Sequence, residues 1–114
     1  SNNYPLTMSE ELIPAADART MADNANKEED ERYKNECQEI LCELIPRMNR
    51  AIKAAACVGK RYEYIVCNMK KSQLPHNILR IYIKNYADEC GYTIDDMDIR
   101  DNTDGTAIRF NLYW

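Results

Sequence analysis

Residues 74–114 read L-P-H-N-I-L-R-I-Y-I-K-N-Y-A-D-E-C-G, then Y-T-I-D-D-M-D-I, then R-D-N-T-D-G, then T-A-I-R-F-N-L-Y-W. Pro75 suits a helix start, and Leu74, Ile78, Ile81, Tyr82, Tyr86 and Cys90 recur at helical spacing up to a stop at Gly91. The last segment alternates: Ile108, Phe110, Leu112 and Trp114 are predicted to share one side of a strand, with Arg109, Asn111 and Tyr113 on the other. Between them, Tyr92 and Ile94 are out of phase with Met97 and Ile99. A β-bulge at Asp95-Asp96 restores the phase. Asp101 to Gly105 has the composition of a hairpin turn.

Upstream of this block, R-Y-E-Y-I-V-C over 61–67 is aromatic and β-branched and reads as a strand, followed by a basic loop from Asn68 to Gln73. Before it, Ile40, Leu44, Met48, Ile52 and Ala56 mark a helix from about Glu28 to Val58 that ends at Gly59. Pro46 predicts a kink or break within it, because proline removes one backbone hydrogen bond and crowds the preceding turn. The order is α-β-α-β-β. A right-handed crossover makes the first two strands parallel, and the C-terminal strand pairs antiparallel between them. The expected fold is therefore α+β: a three-stranded mixed sheet with the C-terminal strand central and helices on one face. Such a sheet leaves its other face and both edges partly open.

Residues 1–36 form a polar arm ahead of a single α+β domain at 37–114. Thr7 and Glu10 make a capping box, and Pro14 suits the start of a helical piece. The stripe Met8, Leu12, Ala15, Ala18, Ala22, Ala25 is mostly alanine, too small to support a core of its own. The arm is therefore expected to be ordered by lying against its own domain, a second copy or a partner.

Charge is blocky. The chain carries −4 overall, with −5 on residues 1–36, +8 on residues 47–84 and −5 on residues 85–114. A basic middle between acidic ends suits neutralisation within or between subunits better than a dedicated nucleic-acid surface, which usually carries net positive charge. The residues available for nucleic acid are the helical row Arg47, Arg50, Lys53 with Lys70 and Lys71. No apolar run is long enough to span a bilayer and the N-terminus has no signal-peptide pattern, so no membrane role is expected.

Catalytic and metal-binding patterns are weak. The five cysteines include no C-x-x-C, and reduced, partly buried thiols are expected. Cys37 and Cys42 are five residues apart and point away from each other on a helix. With Cys67, Cys90 and His76 they match no zinc spacing. His76, the single histidine, sits at a helix start; a pairing with Cys67 would lack an orienting third group. Asp96, Asp98, Asp101 and Asp104 before Gly105 lack the central glycine and closing glutamate of a calcium loop. With three glycines, all at element ends, there is no phosphate-cradling loop. No enzyme activity, cofactor or metal is expected.

What remains is aromatic surface. Eight tyrosines and a tryptophan supply rigid contact area with polar tips, as protein interfaces do. Tyr62, Tyr64, Tyr92 and Tyr113, with Arg109, are the candidate partner-binding residues on the uncovered sheet face.

The arm A-D-A-R-T-M-A, the helix end A-I-K-A-A-A-C-V-G-K, the block I-Y-I-K-N-Y-A-D-E-C-G-Y-T-I and the close A-I-R-F-N-L-Y-W together resemble small α+β proteins encoded by tailed bacteriophages and prophages. The likeness covers about residues 8–114 as a pattern of elements and transfers no functional residue. It implies a non-enzymatic, self-associating protein that binds a protein partner, in the virion or its assembly or in the host bacterial cytoplasm. A small inhibitor of a bacterial defence complex, with residues 95–104 imitating nucleic-acid phosphates, and a nucleic-acid-binding accessory protein are the alternatives.

Overall fold

The computed structural model describes residues 10–114, which divide into two compact units between Arg32 and Tyr33. Thr7 and Met8 lie outside the described residues. Helix α1 spans Ala15–Cys57, β1 Tyr62–Met69, α2 His76–Glu89, β2 Thr93–Asn102 and β3 Gly105–Tyr113. In the first unit, every described position through Arg32 is exposed. The Pro14 carbonyl accepts from the Asp17 and Ala18 amides to open α1.

Helix α1 runs unbroken through Pro46. The helix therefore starts well before the expected beginning near Glu28 and has no break at Pro46; the division between the two units, at 32/33, falls inside it. Proline in a helix interior costs about 3 kcal/mol. Here Leu44 and Met48, on either side of Pro46, are buried and hold the helix in register against the core.

The second unit contains the sheet, in the order β1-β3-β2. Both neighbouring pairs are antiparallel, so the sheet is antiparallel and not mixed, although β1 and β2 do run the same way as expected. Ile65, Cys67 and Met69 from β1, Ile94, Met97 and Ile99 from β2, and Ile108, Phe110 and Leu112 from β3 enter one core with Cys37, Ile40, Leu44 and Met48 of α1 and Leu79, Ile83 and Ala87 of α2. Both helices therefore cover the same face.

The bulge is present. Asp95 pairs with Asn111 and Asp98 with Arg109, so Asp96 and Met97 together oppose Phe110, and Asp96 adopts φ +54°. The extra residue lets Ile94 and Met97 both point inward.

The buried stripe of α2 differs from the expected one. Leu79, Ile83 and Ala87 are buried, whereas Ile81, Tyr82 and Cys90 are exposed. The helix carries two overlapping apolar rows, and packing on β2 selects the row with the smaller side chains at its C-terminal end. Strand β1 extends over Asn68 and Met69, which the sequence suggested as loop.

Two helix ends follow the expectation. Past α1, the Lys60 amide reaches the Ala55 carbonyl and Gly59 takes φ +82°; past α2, the Tyr92 amide reaches Ala87 and Gly91 takes φ +86°. Each is a left-handed turn that glycine adopts without a Cβ penalty. Gly105 is required for a different reason: a Cβ there would sit 2.0 Å from the Met69 carbonyl oxygen.

Candidate binding surface

On the face away from the helices, cross-strand pairing sets out ordered rows. Tyr62 lies opposite Tyr113, which lies opposite Thr93; Tyr64, Asn111 and Asp95 form the next row; Val66, Arg109 and Asp98 the third. Tyr62, Tyr64, Val66 and Tyr113 retain 55%, 48%, 49% and 39% exposure, so the β1 side of this face is an apolar strip. The Tyr62 and Tyr113 rings lie 6.3 Å apart, and the Lys60 ammonium sits 6.0 Å from the Tyr62 ring centre. Arg109 is exposed at the middle of the face, between that strip and the acids of β2.

Tyr92 is elsewhere. It is half-buried, packs against the core and meets Trp114 edge-on at 6.2 Å, so it does not belong with Tyr62, Tyr64 and Tyr113. It lies two residues before the buried Ile94 and shares its inward side, while Thr93 between them is exposed.

The basic residues do not form one uniform surface. Arg47 is half-buried and lies 4.0 Å from Glu43, whereas Arg50 and Lys53 are exposed on α1 and Lys70 and Lys71 are exposed after β1.

Tertiary structure also assembles a polar network that the sequence does not reveal. His76 Nε2 is 3.0 Å from Asp101 Oδ2, and the Thr106 hydroxyl donates to Asp101 Oδ1 at 2.8 Å. The Ser72 amide donates to Thr106 Oγ1, while the Ser72 hydroxyl and the Gln73 amide both donate to Glu36 Oε1. The Thr106 hydroxyl, with His76 behind it, holds the Asp101 carboxyl below the ordinary carboxylate range. The network ties the β1–α2 loop to β3 and to α1. It brings His76 to a carboxylate and not to a thiol.

Cys67 is fully buried, and burial pushes its pKa up; its charged neighbours are Arg47 and Glu43. Cys37 is likewise pushed up to about 11, by burial and then by Glu36. A raised pKa leaves little thiolate, the reactive form, at neutral pH. Cys42, Cys57 and Cys90 are exposed. Among the described residues, no group of three or more His, Cys, Asp or Glu side chains is arranged to hold a metal ion, and no helix is long and apolar enough to cross a membrane. A cleft of about 350 Å³ beside the β2–β3 turn is lined by Asn68, Met69, Asn102, Asp104, Gly105 and Thr106.

No protein-family model matches the chain, and no curated protein or solved structure is significantly similar to it.

Proposed function

We propose that this protein acts without catalysis, by binding a protein partner and further copies of itself through the outer face of its sheet. The observation that carries this reading is the strip formed by Tyr62, Tyr64, Val66 and Tyr113, exposed on a face that no element of its own unit covers. Tyrosine offers contact area at a small entropy cost and keeps its hydroxyl solvated when unbound. Arg109 at the centre and Asp95 and Asp98 across from it add a polar margin that specifies orientation. On the likeness to small phage proteins, the simplest setting for such a surface is a virion or its assembly.

Sedimentation of the wild type against Tyr64→Asp and Tyr113→Asp tests the reading. Both substitutions are expected to shift a concentration-dependent oligomer to monomer with the fold retained. A wild type that stays monomeric at high concentration, or an oligomer indifferent to both changes, would remove self-association from the proposal.

A second reading rests on the other side of the same face. Asp95 and Asp96 are exposed and Asp98 half-exposed along β2. A row of this kind suits an inhibitor that presents carboxylates to a basic, nucleic-acid-binding target in a bacterial defence complex. For that reading, charge reversal of Asp95 and Asp98 abolishes the complex, while Tyr113→Asp leaves it intact.

A further inference from the structure

The two outer strands of the sheet end in different ways, and the backbone hydrogen bonds show which side of each strand faces outward. The Trp114 amide donates to the Arg61 carbonyl at 2.9 Å, so Arg61 and Trp114 are a hydrogen-bonded pair. In an antiparallel ladder such pairs alternate. Glu63, Ile65, Cys67 and Met69 therefore turn their amides and carbonyls toward β3, while Tyr62, Tyr64, Val66 and Asn68 turn theirs outward, where the order β1-β3-β2 supplies no strand among the described residues. A second bond agrees: the Tyr64 amide donates to the carboxylate of its own neighbour Glu63 at 2.9 Å, a side chain standing where a partner carbonyl would be.

The β2 edge is closed. It carries the bulge, the left-handed Asp96 and exposed aspartates, and the Met97 carbonyl accepts from the Arg80 guanidinium of α2. Bulges and charges are the usual means of blocking edge pairing. Strand β1 has a regular register over eight residues, and Glu63 is its single charged side chain.

We propose that the β1 edge accepts an extended segment of a partner protein as a fourth strand, one with apolar residues at alternate positions and acidic residues at both ends. This rests on the reading of the sheet as a partner-binding surface and names the partner's chemistry. The residues whose backbone faces outward, Tyr62, Tyr64 and Val66, also hold the exposed apolar side chains. An added strand thus gains ladder bonds and side-chain contact together. Charge selects the occupant. Lys60 and Arg61 precede β1 and Lys70 and Lys71 follow it, all exposed. An antiparallel second copy of β1 would bring Lys60 and Arg61 of one molecule toward Lys70 and Lys71 of the other, and like charges side by side disfavour that pairing. Acidic ends match both basic flanks.

The test is fluorescence anisotropy on the full chain, with a labelled peptide of alternating valine and threonine bearing aspartate and glutamate at each end, and a twin bearing lysines instead. The acid-ended peptide is expected to bind at least about tenfold more tightly, with the difference collapsing near 1 M salt, where the screening length is about 3 Å. Val66→Pro removes an outward amide, and Val66→Lys places a charge beside the edge. Each is expected to weaken binding by about tenfold or more, with Val66→Lys retaining the wild-type melting temperature. Ile81→Ser, on the exposed side of α2 and away from the sheet's outer face, leaves peptide binding within about twofold. Equal binding of both peptides, or binding of neither, would overturn the inference. If peptide binding fails while Tyr113→Asp still disrupts self-association, the edge inference falls alone. The converse result removes the face reading and leaves the edge.

Discussion

The two edges of this sheet are made from similar lengths of chain and finished in opposite ways. Strand β2 is kinked by an extra residue, studded with carboxylates and tied back to α2 by Arg80. Strand β1 is straight in register, carries tyrosine and valine on its exposed side, and satisfies one outward amide with the Glu63 carboxylate. Open edges are a hazard that sequences normally suppress. An edge suppressed on one side and left regular on the other is a surface with a direction, and the exposed aromatic strip lies on the regular side.

The largest expected effect comes from the residue that both edges share. Phe110 is fully buried, opposite Ile65 on one side and the bulge on the other. Phe110→Ala is expected to cost about 3–5 kcal/mol, measured by urea unfolding, and to loosen both edges together. Gly105→Ala breaks the symmetry: its Cβ meets the Met69 carbonyl, so it pries the end of β1 from β3. A loss of about 3 kcal/mol is expected, at the upper end of the range for overpacking.

The guard on β2 can be sharpened or broken at Asp96, whose φ of +54° suits glycine or an aspartate and not a branched side chain. Asp96→Val is expected to cost about 1–2 kcal/mol, while Asp96→Gly stays within about 1 kcal/mol of the wild type. Equal losses for both would mean that the bulge is held by the Asn111–Asp96 side-chain bond and not by backbone preference.

Asp101 gives the smallest effect and a pH signature. Its folded carboxyl titrates below the ordinary range, so its stabilising contribution is complete above the unfolded value of about 3.9 and is lost as pH falls through the folded value. The melting temperature of Asp101→Ala should therefore lie below the wild type at neutral pH, and the gap should close below about pH 4. A gap that persists unchanged into strong acid would contradict the role assigned to the Thr106 and His76 bonds.

How far the sequence disclosed this molecule depended on whether one strand or several elements set a feature. The alternation of Ile108, Phe110 and Leu112, the phase break around Asp95-Asp96 and the stops at Gly59 and Gly91 are local, and they appear in the structure as read. Features chosen by tertiary packing were hidden. Pro46 looks like a break until Leu44 and Met48 are seen buried around it. The exposed Ile81 and Tyr82 look like core until Leu79 and Ile83 are found facing β2. Tyr62, Tyr64 and Tyr113 share a face because strand parity is local, and the same parity places Tyr92 with the buried Ile94 on the helix side, once the bulge is seen to bring Ile94 and Met97 to one face. The polar network joining Glu36, Ser72, Thr106, Asp101 and His76 had no signal, since its members are scattered along the chain and ordinary in type. Which residues of β1 turn their backbone outward was also unreadable, because that parity is set by the register of β1 on β3, of which the Arg61–Trp114 bond is one rung.

Residue-resolved amide hydrogen exchange measures the openness of the β1 edge most directly. The amides of Glu63, Ile65, Cys67 and Met69, bonded to β3, are expected to be protected, while those of Tyr62, Val66 and Asn68 exchange fast and Tyr64 falls between, slowed by Glu63. Uniform protection along all eight residues would show the outer side of β1 already occupied, and the account of an edge held ready for a partner strand would fail.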